Sequence, residues 1–418
     1  MYFMRLIYSL AIIAYTGVIY MASFFNEKAR LWLNGRKDWR KKLAENVAGF
    51  DKTIWIHCAS LGEFEQGRPL IEKIKKEFPG FKILLSFFSP SGYEIRKNYP
   101  LADYICYLPA DTPRNAKFFI ETVRPEMSLF IKYEFWNNYI SELYKKGIPL
   151  FLVSGIFRSN QHFFRWYGGF FLKILRKFTH IFLQNEESAL LLKKAGIENF
   201  TVTGDTRFDR VIQIAGSSSG IPAIEKFSNG EKLFLAGSSW PQDEEIIVRY
   251  INNYPFAMKW VFAPHEIDRH NIDRLASMIK PKCVRFSEFS DNSIDARVLI
   301  IDNIGMLSSA YRYAYIAAVG GGFGKGIHNI LEPACWGLPV LFGPNHSKFR
   351  EATDLLSAGG AFCFRNYDQF RASLDKLLTD SAFYKSASEA ALKYVSDNTG
   401  ATDKIIIEIF QKDINRKD

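Results

Sequence analysis

The chain has 418 residues, a formal charge of +10, 48% hydrophobic residues and 16% aromatic residues. That length predicts two domains with large cores, and the positive balance favours an anionic partner such as nucleic acid, a membrane surface or a phosphorylated substrate. The five cysteines (58, 106, 283, 335, 363) are odd in number and lack zinc spacing, which argues against a secreted disulfide scaffold and for a reducing compartment.

The first element is an uncharged run from Leu6 to Phe25. As a helix its length of about 30 Å matches a hydrocarbon core. A secretory signal and a buried soluble helix are the rival readings. No small-x-small cleavage site follows, so residues 1–25 are expected to be a membrane-anchor helix. Lys28, Arg30, Arg36, Lys37, Arg40, Lys41 and Lys42 follow it, against Arg5 alone before it. The positive-inside rule then places the bulk of the chain in the cytoplasm. The same cations suit membrane phospholipid.

From Thr53 onward apolar runs alternate with amphipathic ones. Strands are expected at 53–60, 82–88, 104–109, 127–135, 148–155, 180–185 and 200–205, with helices between them such as 68–78 and 187–196. The stretch 216–222, GSSSGIP, reads as a linker. A second series follows at 232–238, 259–264, 283–288, 297–302, 315–319, 338–343 and 361–366. The prediction is α/β: two Rossmann-like domains facing a cleft, at 26–215 and 223–418, with sites past the carboxyl ends of strands.

Several strand ends carry chemistry. Glu63 follows the first strand, where it either takes a proton from an attacking hydroxyl or complements a helix dipole. Arg158 follows another strand and is a plausible phosphate contact or a solvated arginine. Ser238 and Ser239 lie between a strand and an acid-rich helix start; they suit a phosphate, and Ser239 also suits an N-cap. The stretch 319–345, VGGGFGKGIHNILEPACWGLPVLFGPN, reads as strand, glycine turn, helix and strand. Gly320, Gly321 and Gly322 permit a close approach to a ligand, the helix start after His328 and Asn329 suits a phosphate, and Glu332 suits ribose hydroxyls. Gly-rich turns also occur in α/β proteins that bind nothing there. No metal-ligand cluster is visible, and neither a metal nor a cofactor is expected. Nucleic-acid binding is disfavoured because the charge gathers near the anchor and no recognition motif appears.

The glycine cluster followed by HN, LEPA and PVLFGPN resembles the donor-binding signature of the 3-deoxy-D-manno-octulosonic acid (Kdo) transferases, GT-B glycosyltransferases of Gram-negative lipopolysaccharide synthesis. SLGE (60–63), SPSGYE (89–94), Glu134 with Trp136, and TGDTRFD (203–209) resemble further segments of that family, in the same order. The resemblance implies CMP-Kdo as donor and a lipid A precursor as acceptor, with Glu63 as base. It gives Glu134 a catalytic or supporting role on the acceptor side, where Lys132 and Arg158 are expected to bind the acceptor. On the donor side it places His265 and Arg269, backbone groups of Ile304, Gly305 and Met306, and Lys325 toward the anionic sugar. Lys132 stands where the family has an acid, Asn137 where it has a proline, and His265 where it has an arginine. Three other readings remain open: a UDP-sugar GT-B enzyme acting on a lipid carrier, a UDP-sugar 2-epimerase, and a non-catalytic binding protein.

Overall fold

Fourteen short apolar runs are strands in the computed structural model, which describes residues 2–254 and 258–417. β1 (Thr53–Cys58), β2 (Lys82–Phe87), β3 (Tyr104–Tyr107), β4 (Met127–Ile131), β5 (Leu150–Gly155), β6 (His180–Leu183) and β7 (Phe200–Val202) build one sheet, in the order β3-β2-β1-β4-β5-β6-β7. β8 (Leu233–Ser239), β9 (Lys259–Pro264), β10 (Cys283–Arg285), β11 (Val298–Ile300), β12 (Ile316–Val319), β13 (Val340–Phe342) and β14 (Ala361–Cys363) build the other, in the order β10-β11-β9-β8-β12-β13-β14. All neighbouring strands are parallel. Helices cover both faces of each sheet, so the strands are buried twice over and read as continuous apolar runs.

The strand order reverses between β1 and β4 in one sheet and between β8 and β12 in the other. Just past the carboxyl ends at such a point, the flanking loops part and leave room for a ligand. Glu63 and Lys132 follow the first pair; Ser239 and Gly320 end or follow the second.

The chain divides into two compact units, residues 1–210 with 399–418, and residues 211–398. The division falls inside the helix Thr206–Ser217, ahead of the expected linker. Phe208 and Val211 are both buried there, so the amphipathic pattern carries the helix through. Gly216 and Ser217 close that helix, and Pro222 opens the helix Pro222–Ser228.

In the first unit, Trp55, Phe119, Phe130 and Tyr139 fill one face of the sheet. Ile54, Ile56, Phe64 and Leu129 fill the other, joined by Ile405, Ile406 and Ile409 of the helix Ala401–Lys417. Phe410 stacks on Phe78 at 3.7 Å. Asp209 fixes the return of the chain: it accepts the Gly400 N–H at 2.6 Å, the Thr402 N–H at 2.7 Å and the Thr402 hydroxyl at 2.6 Å. In the second unit, Phe234, Trp260, Phe262 and Phe370 form an aromatic core. The N-terminal helix Tyr2–Ala22 is, over Met4–Ala22, long and apolar enough to cross a membrane.

Candidate functional site

In the first unit the loop after β1 leads directly into the helix Leu61–Glu77. This helix starts at Leu61, ahead of the Arg68 start expected from periodicity, and holds Pro69 inside it. The start is fixed by Glu63 at the third helical position, whose Oε2 accepts the N–H of Ala59 at 2.5 Å and of Ser60 at 3.3 Å. Capping and proton chemistry are therefore compatible uses of one carboxylate. Burial, then the charge of Glu134, push the Glu63 carboxyl up to about 8; the two N–H bonds and Lys132 pull the other way. A carboxyl so placed can give or take a proton near neutral pH, as a general base requires.

Glu134 follows β4 and is buried beside a second network. Its Oε2 accepts the Trp136 indole N–H at 2.5 Å and lies 3.0 Å from His57 Nε2. The same Trp136 N–H lies 3.1 Å from His57 Nε2, so the three side chains form one hydrogen-bonded cluster. The other side of the His57 ring is held by Ser86, with Nδ1 2.9 Å from Oγ and 3.1 Å from the carbonyl oxygen. Ser86 Oγ in turn accepts the Trp55 indole N–H at 2.8 Å. Lys132 adopts a left-handed conformation with φ 68°, and its Nζ lies 5.4 Å from the centre of the Tyr133 ring. Arg158 is exposed, and its charge, like that of Glu63, acts on the Tyr133 hydroxyl. Glu63, Glu134 and Lys132 thus form one electrostatic group, with Arg158 at its margin.

His57 was not singled out in the sequence, because a histidine in TIWIHC passes for filler in an apolar strand. The signal was available: a polar ring in a doubly buried strand must find a partner.

In the second unit, β8 ends at Ser239, and the helix Pro241–Asn253 begins two residues later. Trp240, not Ser239, is its N-cap residue. The Ser239 hydroxyl is committed instead to Glu244, at 2.8 Å, and Glu244 pairs with Arg274. Ser238 takes a left-handed conformation with φ 49°. Asp243 accepts the Trp240 N–H at 3.1 Å and the Gly321 N–H at 3.0 Å, tying the end of β8 to the glycine turn after β12. Burial pushes the Asp243 carboxyl up to about 6.

The glycines approach protein rather than open space. A Cβ on Gly320 would lie 2.2 Å from the Ser238 carbonyl oxygen, and one on Gly322 would lie 2.6 Å from the Gly343 backbone. Gly321 has φ 90°, and its Cβ would meet the His328 ring at 2.9 Å. His265 and His328 lie 4.4 Å apart between ring centres, and Trp240 stacks on His265 at 4.7 Å. The Trp240 indole N–H donates to His328 Nε2 at 2.9 Å. That bond leaves the His328 proton on Nδ1, as a donor. Burial and then His265 hold the His328 pKa below its usual value.

The helix expected after Asn329 is a single turn, Leu331–Ala334, so its dipole is small. Leu338 N–H bonds back to the Pro333 carbonyl, and Gly337 turns away with φ 69°, which stops it. Glu332 accepts from the Ser308 hydroxyl at 2.6 Å and from Asn329 Nδ2 at 3.0 Å. Ser308 lies two residues after Met306 and joins the 304–306 loop to the glycine stretch. Within that loop Gly305 has φ 94°, and the Ile304 side chain is 87% exposed. Lys325 is exposed. The Arg269 side chain is 90% exposed, beside Asp273 at 3.6 Å. Trp240, Asp243 and Ser308 were not anticipated, since their partners lie from 24 to 88 residues away in sequence.

Residues 33–210 match the family model described as 3-deoxy-D-manno-octulosonic-acid transferase (kdotransferase). The chain is 29% identical to the 3-deoxy-D-manno-octulosonic acid transferase of Aquifex aeolicus (strain VF5) over 345 residues, covering 80% of this chain and 88% of that protein. It is 29% identical to the enzyme of the same name from Rickettsia bellii (strain RML369-C) over 368 residues, covering 84% and 86%. The structure of UDP-GlcNAc 2-epimerase from Neisseria meningitidis bound to UDP-GlcNAc superposes with a TM-score of 0.60 at 16% identity, covering 87% of this chain and 100% of that one. At that identity the superposition speaks to the α/β GT-B-like fold alone.

Proposed function

Because this chain belongs to the Kdo transferase family and is a glycosyltransferase, we propose that it transfers Kdo from CMP-Kdo to a lipid A precursor, with inversion, at the cytoplasmic face of the inner membrane. The observation that carries the mechanism is the buried Glu63 carboxyl, pushed up to about 8 beside Glu134 at the strand-order reversal. An acceptor hydroxyl gives its proton to Glu63 as its oxygen attacks the anomeric carbon, and the bond from that carbon to the CMP oxygen breaks. Glu134, held by His57 and Trp136, keeps the Glu63 pKa high enough for it to act as a base. Lys132 and Arg158 offer positive charge to a phosphorylated acceptor.

The donor is assigned to the second unit. Glu332, oriented by Ser308 and Asn329, is the carboxylate assigned to the ribose hydroxyls, since each of its oxygens can accept more than one hydrogen bond. His328 offers its Nδ1–H, and the backbone of the turn at Ser238 and Ser239 receives the phosphate, the Ser239 hydroxyl and the Gly321 N–H being held by Glu244 and Asp243. Backbone groups of Ile304, Gly305 and Met306 read the base. His265 and Lys325 face the anionic part of the donor, and Arg269 is its outermost contact. The apolar helix Met4–Ala22 and the cations that follow it suit membrane phospholipid and a lipid acceptor.

The test is incubation of the full chain with CMP-Kdo and a tetraacylated lipid A precursor, with products weighed by mass spectrometry. A gain of one or more Kdo units is expected and also counts the additions. Donor binding without transfer would move the acceptor assignment; no donor binding would overturn CMP-Kdo.

A further inference from the structure

The N-terminal helix Tyr2–Ala22 is, over Met4–Ala22, long and apolar enough to span a bilayer. Its contacts point elsewhere. Near its start, the Tyr8 hydroxyl donates to Asp111 Oδ2 at 2.6 Å and accepts the Asn137 N–H at 3.3 Å. Seven residues on, Tyr15 stacks on Phe88 at 6.3 Å. Arg5 lies close enough to Lys177 to help lower its pKa, after burial, to about 8. Residues seven apart share a helix face, about 10.5 Å from one another along the axis. The first unit therefore lies alongside the helix over most of its length, and not only at its C-terminal end.

A perpendicular crossing is incompatible with those contacts. Tyr8 is about 21 Å of helix from Ala22. Were the helix to stand across the bilayer, Asp111, Asn137, Lys177 and the surrounding backbone would be drawn that far into hydrocarbon. Each buried charge there costs several kcal/mol.

The opposite face of the helix is apolar and open. Leu6, Leu10, Ile13, Val18 and Met21 are between 50% and 66% exposed. Aromatic side chains are exposed nearby: Phe25, just past the helix, is 91% exposed, and Trp166, in the segment that Tyr8 reaches through Phe170, is 96% exposed. Residues 1–42 carry eight Lys or Arg against two carboxylates. An apolar face, exposed aromatics and a dense cation supply fit the boundary between the headgroups and acyl chains of an anionic bilayer.

We propose that the N-terminal helix is a fixed part of the first unit and lies flat in the surface of an anionic bilayer, without crossing it. This rests on the membrane reading given above. It also ties the lipid surface to the chemistry, because Phe88 packs on Trp136 at 4.6 Å and Trp136 donates to Glu134.

The test uses the full chain with an N-terminal epitope tag, expressed in a Gram-negative host. Protease is added to spheroplasts and, separately, to inverted membrane vesicles. A helix lying flat keeps the tag and the first unit on one side: both survive in spheroplasts and both are cut in inverted vesicles. Loss of the tag in spheroplasts, with the rest of the chain intact, would mean a crossing helix and would overturn the proposal. Recovery of the chain in the soluble fraction would overturn the membrane reading itself, a distinct result. As a second measurement, Tyr8→Phe is expected to lower the Tm of the detergent-solubilised chain by about 2 °C. No change would mean that the helix is not docked.

Discussion

The two strand-end regions differ in how much of their chemistry is assembled by the protein alone. After β1 and β4, Glu63, Glu134 and His57 are all buried, and each has named partners. In the second unit the backbone past β8 and β12 is equally fixed, but Arg269 after β9, Ile304 after β11 and Lys325 after β12 face solvent. Buried charges acquire their pKa and geometry from the fold, so altering them should change the chemical step. Exposed ones meet a partner only when a ligand arrives, so altering them should change binding or nothing.

The largest test of this contrast is Glu63→Gln. It is expected to lower kcat by about 10²–10⁴-fold while donor Kd stays within about twofold. Donor titration beside turnover checks it, and undiminished turnover would remove Glu63 from the base role. The same variant has a signature in stability. Between its unfolded pKa of about 4.3 and about 8, folded Glu63 keeps a proton that the unfolded chain releases. Stability contributed by this group is therefore present at low pH and lost as pH rises through that window. The difference in Tm between wild type and Glu63→Gln should follow it.

Next in size is Glu134→Gln. Removing that negative charge lets Glu63 ionise more readily, so the acid limb of kcat/KM moves to lower pH by roughly one unit. An unmoved limb would mean that burial alone sets Glu63. Trp240→Phe then probes the second region. It keeps an aromatic ring beside His265 but removes the donor to His328, and should weaken donor binding about fivefold, the value of one hydrogen bond. Arg269→Ala is the smallest, within about twofold in donor Kd, because an exposed pair with Asp273 contributes little. A tenfold loss there would make Arg269 a principal rather than an outermost donor contact and break the contrast.

The same contrast describes what was legible in the sequence. All the expected strands formed, because parallel strands buried on both faces leave unmistakable apolar runs. Glu63 and Glu134 were singled out from motif and position, and the fold brings their charges within reach of each other. What the sequence hid were partnerships across the fold. His57 looked like core until Ser86 and Glu134 closed around it from neighbouring strands. Trp240 looked like a residue after a turn until His328, far along the chain, met its indole. The glycine turn was read for ligand approach, whereas Gly320 and Gly322 are pressed against backbone at Ser238 and Gly343. The run after Asn329 had helical character for longer than the single turn it forms, since Gly337 intervenes. Local periodicity carries no information about which distant strand end will arrive beside a residue.

The clasp of Asp209 on Gly400 and Thr402 sets an order of assembly during synthesis. The second unit is one continuous stretch, 211–398, and has its whole core once that stretch leaves the ribosome. The first unit, though translated earlier, lacks Ile405, Ile406 and Ile409 until the last residues emerge. The older half of the chain must therefore wait for the younger one, with a sheet face open in the interval, and a chain cut before Ile405 would leave Glu63 and Glu134 in a unit whose core is unfinished.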